Sequence, residues 1–310
     1  MSTGENMFNF EYDITRTDLR DLYERAKRDQ WNASTHIDWA KDVDPERGIL
    51  EDQQIPIYGT GWWERLTRGE QARLNHYWST WRFSQNLHGE QGGLLIAAQV
   101  VAAMPSIEGK LCMGVQVVDE ARHTEVFERY LREKMRKRYP VNASLLKLMQ
   151  LLISESRWYV KLVGIQLIIE NLARASFRSS LRGAKDDLIR DILTNVLRDE
   201  NRHVAFGVLS IRRVVLEEIS AEEREELTDF AFEACRSLVG ERFFPSEVYE
   251  EIGFGSNDIK AISEISRQSP QRKEFLAYLF SPVVTNLEQV GLLTERIRPH
   301  YEQAGFLKPA

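Results

Sequence analysis

Two short segments constrain this chain more than anything else in it. Asp119-Glu120-Ala121-Arg122-His123 and Asp199-Glu200-Asn201-Arg202-His203 lie 80 residues apart and agree at every position but the third. Each sets a glutamate three residues before a histidine. On a helix such positions differ by about 60° around the axis and about 4.5 Å along it, so both side chains can reach one point. A single pair of this kind arises easily on a charged helical surface, but the offset extends further. Glu90 and Glu170 are also 80 residues apart, and each precedes its Glu-x-x-His glutamate by 30 residues. The midpoints are Pro105 and Lys185, the latter two residues past Gly183, and both read as turns. Residues equidistant from the turn of an antiparallel hairpin lie level, so each hairpin sets a glutamate beside a Glu-x-x-His. Two such hairpins packed face to face converge Glu90, Glu120, His123, Glu170, Glu200 and His203 at the centre of a bundle. That is the ligand arrangement of di-iron and di-manganese carboxylate bundles.

The rest of the chain agrees with such a bundle. From Gly69 onward apolar residues recur at three- and four-residue steps and strand-like alternation is absent. The pattern predicts helices near 69–104, 108–138, 144–181 and 186–217, separated at Pro105, Pro140 and Gly183. A fifth is expected near 221–240, ending at Gly240, and a final pair near 257–268 and 271–296. Residues 243–256, with Pro245, Gly253 and Gly255, read as a loop. Before the bundle, residues 18–30 read as a helix started by Thr17 and Asp18. An extended lead-in with Pro45, Pro56, Trp31, Trp39, Trp62 and Trp63 follows, expected to pack over an end or flank of the bundle. The expectation is an all-α protein, a four-helix bundle with additional N- and C-terminal helices. Residues 1–66 are the lead-in, 67–218 the di-metal bundle, and 219–310 further helices of the same domain.

Composition excludes several alternatives. An apolar content of 43% with 28% charged residues belongs to a globular chain with a core rather than a disordered one. A formal charge of −6 argues against nucleic acid as the main partner. Cys112 and Cys235 cannot form a disulfide framework and read as small buried hydrophobes in a reducing compartment. The polar, acidic start, residues 1–10, shows no signal peptide, and the apolar stretch 94–104 is short and broken by Gln99, so no membrane span is expected. The expected location is the cytoplasm. His36, His76 and His88 have no partner spacing and read as structural or surface residues.

The chemistry of the six residues favours metal. Glu170 lies in the apolar run Leu167-Ile168-Ile169-Glu170-Asn171-Leu172, where an unpaired charge is costly. Four carboxylates neutralise two divalent ions, and a site rich in oxygen with some imidazole suits iron or manganese better than copper or structural zinc. Asp119 and Asp199 can hold the second nitrogen of each histidine, from their own or the facing helix, with Arg122 and Arg202 balancing them. Gly92, Gly93, Ala97, Ala173 and Gly207 either leave a substrate cavity beside the metals or allow close helix packing. Tyr159, about 16 Å along the helix from Glu170, is too distant for an obvious radical site.

These motifs resemble the ferritin-like di-iron carboxylate superfamily over about residues 70–215. They look most like the branch of ribonucleotide reductase small subunits and related ligand-binding oxidases. Arg202-His203-Val204-Ala205-Phe206-Gly207, Leu22-Tyr23-Glu24-Arg25-Ala26-Lys27, Trp31-Asn32 and Ile37-Asp38-Trp39 are similar to that branch. The stretch Gln116 to Thr124 also resembles bacterial multicomponent monooxygenases. The resemblance implies two iron ions, or a manganese–iron pair, with O2 as co-substrate. It also implies an O2-activating oxidase or oxygenase for a small, mostly apolar organic substrate, an electron-donor protein and a homodimer. A radical-generating reductase-like subunit, or a ligand-binding oxidase without turnover, is the alternative. The chain departs from each named subfamily. Phe127 stands where reductase subunits commonly place a radical tyrosine. Ile165 and Gly93 replace the tyrosine and valine that ligand-binding oxidases crosslink. Val196 stands where arylamine N-oxygenases carry a third histidine, and Ala173 and Arg174 where hydroxylases and desaturases often have a threonine.

Overall fold

Side-chain caps start the long helices where the turns were expected. Thr67 and Glu70 form a reciprocal capping box, Ser106 accepts from the Gly109 amide, and Asp186 accepts from the Leu188 amide. The computed structural model describes residues 8–44, 46–239, 244–268 and 270–307. Its helices are α1 (Thr17–Arg28), the short α2 (Gly61–Glu64), α3 (Arg68–Ala103), α4 (Ile107–Tyr130), α5 (Ala143–Ser154), α6 (Trp158–Leu162) and α7 (Glu170–Arg182). They continue with α8 (Asp187–Arg213), α9 (Ala221–Ser237), α10 (Ser246–Ile252), α11 (Ser256–Gln268), α12 (Pro270–Gln289) and α13 (Arg298–Gln303). π-Helical turns extend α4 through Met135 and α8 through Glu218, and the π-helix Val163–Ile169 joins α6 to α7. Among the described residues the chain is all-α, with an isolated antiparallel bridge between Leu50 and Ala184.

The hairpins form as the spacing requires: α3 turns into α4 around Pro105, and α7 into α8 around Lys185. They pack together through α4 and α8, while α1 lies against both. Helix α3 is buried on most faces from Leu74 to Val100, which makes it a central rather than an amphipathic surface helix. Two hydrophobic clusters fill the bundle. One holds Trp78, Phe83, Phe127, Ile189 and Val196; the other holds Ile96, Met113, Leu167, Phe206 and Ile211. Each bundle helix passes from one cluster to the other, and the six candidate residues lie at the crossing, a polar layer between two apolar ones.

The helix expected over 144–181 is broken. At Glu155 the backbone turns extended, and the Glu155 carboxylate accepts hydrogen bonds from the Arg157 amide (2.9 Å) and guanidinium. This local side-chain bond competes with the helical ladder and separates α5 from α6. The expected loop over 243–256 contains α10, whose Trp81–Glu247 contact ties it to α3. The last expected helix ends at Gln289 rather than 296, with α13 beyond it. Pro45, Gly240, residue 243 and residues 1–7 of the N-terminal stretch lie outside the described residues. No helix among the described residues is long and apolar enough to cross a membrane.

Candidate metal centre

All six sequence-identified residues meet in the polar layer, and all are buried. Both histidines turn Nδ1 toward the carboxylates. His123 Nδ1 lies 3.1 Å from Glu90 Oε2, 3.3 Å from Glu200 Oε1 and 3.9 Å from Glu120 Oε2. His203 Nδ1 lies 3.4 Å from Glu120 Oε1, 3.5 Å from Glu200 Oε2 and 3.8 Å from Glu170 Oε2. Glu120 and Glu200 thus divide their two oxygens between the two imidazoles, whereas Glu90 faces only His123 and Glu170 only His203. Two sets of potential ligand atoms, Glu90–Glu120–His123 and Glu120–Glu170–His203, each converge within 4.8 Å.

The opposite ring nitrogens are held by the aspartates, and the pairing is crossed between helices. His123 Nε2 lies 3.1 Å from Asp199 Oδ2, and His203 Nε2 lies 3.2 Å from Asp119 Oδ2. Arg122 contacts both aspartates, as does Arg202, which lies against Asp199 and 3.5 Å from Asp119. A carboxylate on the far nitrogen fixes the ring and directs Nδ1 inward, the usual way of orienting a metal-binding histidine. The lead-in covers this network. Trp31 Nε1 donates to Asp199 at 2.7 Å, Gln30 Nε2 donates to Asp119 at 3.0 Å, and the Arg122 guanidinium lies over the Trp31 ring. The expectation of packing for the Trp-rich segment is therefore incomplete, since it also supplies polar partners to the site. Gln116 and Gln166 are two further buried residues against the cluster that the motif reading passed over. The four-residue step from Gln116 to Glu120 could have found the first, because it puts both on one helix face.

The electrostatics are those of carboxylates and imidazoles crowded together away from water. Burial, together with the charges of Glu170 and Glu90, pushes the Glu120 carboxyl well above its ordinary value. Burial and the nearby Glu170 push Glu200 up to about 8. Burial also drives Glu170 upward, but Glu200 and His203 outweigh it and hold that carboxyl low. Burial disfavours charge on both histidines, yet the surrounding carboxylates raise them well above the ordinary imidazole range. A cation bound among these groups would relieve the same burial and carboxylate repulsion. Even so, both oxygens of Glu200 and His203 Nδ1 are buried with no well-formed hydrogen bond. Buried polar atoms left this way are uncommon, and an all carboxylate–imidazole donor set fits iron or manganese.

The glycines near the cluster serve packing more than space. A Cβ at Gly92 would lie 2.4 Å from Met149 Sδ and one at Gly207 2.3 Å from Gln166 Cβ, whereas at Gly93 it would press on Glu120 Oε2 at 3.1 Å. The cavity reaching His203 and Gln116, lined also by Leu22, Tyr23 and Phe206, is about 20 Å³, room for about one water. Phe127 is buried between Phe83 and Phe177, and Tyr159 is occupied by a hydrogen bond to Glu223. His88 bonds the Tyr139 carbonyl and His36 the Asn32 amide, as structural roles require.

Comparisons with known proteins bear on the family and the fold. A family model described as P-aminobenzoate N-oxygenase AurF matches residues 15–291. Among solved structures, an R2-like ligand-binding oxidase with an aerobically reconstituted Mn/Fe cofactor is similar. Its identity is 16%, its TM-score 0.56, and the match covers 91% of this chain and 98% of that one. An R2-like ligand-binding oxidase with an aerobically reconstituted metal cofactor after photoconversion matches at 18% identity and a TM-score of 0.56, covering 90% and 94%. At these identities the two structures speak for the ferritin-like fold. A comparison with curated proteins finds no match.

Proposed function

The chain belongs to the P-aminobenzoate N-oxygenase AurF family, and from that premise we propose that it is an O2-activating oxidoreductase that oxidises a small organic substrate at a di-iron or manganese–iron centre. The observation that carries this reading is the buried cluster of four carboxylates and two imidazoles in which Glu200 and His203 Nδ1 have no well-formed hydrogen bond. In this reading Glu90, Glu120 and His123 would hold one ion and Glu120, Glu170 and His203 the other, with Glu200 within reach of both. A metal pair held there would supply redox chemistry toward O2 and the substrate.

The chain's own groups do the rest. Asp199 and Asp119 hold His123 and His203 with Nδ1 inward, so the ligand set is oriented before metal arrives. Burial pushes those aspartates up, but His203 holds Asp119 low and His123, with Arg202 and Trp31, holds Asp199 low, while Arg122 and Gln30 add further contacts. The apolar clusters on either side keep the layer dry, which strengthens each electrostatic contact within it. Phe127 has no hydroxyl to oxidise, which disfavours a radical-generating subunit. Val196, fully buried, provides no third imidazole, so the metals would be held by the six residues alone. We place the protein in the cytoplasm, with Cys112 and Cys235 as free thiols, working as a homodimer with an electron-donor protein.

Anaerobic loading with Fe(II), then O2, tests the function. Two ions per chain, near-ultraviolet absorption of an oxo-bridged pair, and O2 consumption sustained by a reductant and a substrate panel including p-aminobenzoate are expected. Bound metal with a silent spectrum and no O2 uptake would contradict it.

A further inference from the structure

The 80-residue repeat that builds the cluster fails at one informative place. Four residues before each central glutamate, the first copy has Gln116 and the second has Val196. Gln116 is buried, and its Nε2 donates to Glu120 Oε1 and to Glu170 Oε1, each at 3.1 Å. Both carboxylates belong to the Glu120–Glu170–His203 set; Glu120 Oε1 is the oxygen facing His203, whereas Glu170 faces it with Oε2 and gives Gln116 its other oxygen. Carboxylates that hold a cation only accept, so toward a metal-bound pair the amide has to turn its NH2 inward and its own oxygen outward. Gln166 Nε2 meets that oxygen at 2.5 Å, which fixes the direction of both amides. Gln166 in turn lies against Gly207, where any Cβ would stand 2.3 Å from its own Cβ. On the other side, Val196 is fully buried and offers Glu200 no donor.

We propose that Gln116, braced by Gln166, makes the two metal positions inequivalent by positioning Glu120 and Glu170 for the ion on the His203 side. This rests on the di-metal reading above. Gln116 acts through the carboxylates, as a positioning residue. Losing such a partner typically weakens metal binding by about 10–100-fold, here at one position and not the other.

The test is an anaerobic Mn(II) titration of the full chain, followed by elemental analysis and by electron paramagnetic resonance, with thermal melts to verify folding. Wild type is expected to take up two ions with a magnetically coupled signal. Gln116→Leu and Gln116→Glu, close to glutamine in size but without its donor, should keep one ion at wild-type affinity with an uncoupled signal. Their second ion should bind about 10–100-fold more weakly. Gln166→Met should shift the same ion by less, and it carries the test should the Gln116 variants fail to fold. In a His203→Ala background, which retains only the His123-side ion, Gln116→Leu should change nothing. Equal weakening of both ions, no weakening of either, or wild-type binding by Gln116→Glu would overturn the proposal while leaving the di-metal reading in place. A wild-type chain that takes up no Mn(II) would overturn both.

Discussion

The His123 side and the His203 side of the polar layer are two castings of one 80-residue pattern, and they do not come out alike. Each has a Glu-x-x-His, a glutamate from the hairpin partner, and an aspartate from the facing helix on the far ring nitrogen. The His203 side adds the Gln116 amide, whereas the His123 side has Val196 at the matching position. The lead-in sharpens the contrast, because it gives Asp199 an indole N–H and Asp119 a glutamine amide. Internal repetition accounts for the six converging side chains; the residues around them, under no such constraint, are where the halves diverge.

The largest effect should come from residues the two sides share. Glu120→Ala or Glu200→Ala removes a carboxylate that faces both histidines, so bound metal should fall far below two ions per chain by elemental analysis. Glu90→Ala and Glu170→Ala should each spare one ion, and an equal loss for all four would erase the comparison. Next come the crossed aspartates. Asp199→Asn should weaken the ion beside His123, and Asp119→Asn the ion beside His203, by about 10–100-fold in a competitive chelator titration. Weakening on the mutated residue's own helix instead would reverse the pairing.

A pH effect belongs to both sides together. In the metal-free protein Glu120, Glu200, His123 and His203 all have raised folded-state values. Groups raised in this way contribute stability below their unfolded values and lose it as pH rises through the folded ones. For Glu200 that window runs from the ordinary carboxylate value of 4.5 up to about 8. The metal-free melting temperature should therefore fall from neutral toward alkaline pH, and metal loading, which replaces those protons, should flatten the decline. The smallest change is expected for Trp31→Phe. It removes one donor from Asp199 and should cost about 1–3 kcal/mol of stability in denaturant unfolding, with a mild loss on the His123 side only.

The sequence displays the six converging residues because they repeat, and the hairpin turns because equal spacing and Pro105 or Gly183 locate their midpoints. Helix breaks were less legible. The interruption at Glu155 depends on one carboxylate reaching the Arg157 amide, a local competition that apolar periodicity does not register. Helix α10 is seven residues long and is tied to α3 by a contact across 166 residues, Trp81 to Glu247. The contacts of Trp31 and Gln30 with the site likewise span 168 and 89 residues, and no local spacing encodes them. Gln116 differs, since its helical step to Glu120 was readable and only a rule for amide donors beside paired carboxylates was wanting. The glycines were readable as packing or as cavity, and only the positions of Met149 and Gln166 decide for packing.

Anomalous diffraction from crystals of the iron-loaded protein addresses the central claim most directly. Two peaks are expected inside the bundle, one against His123 Nδ1 and Glu90, the other against His203 Nδ1 and Glu170, with Glu120 and Glu200 reaching both. Iron found only at the protein surface, with the layer between α3, α4, α7 and α8 holding protons and water alone, would contradict it.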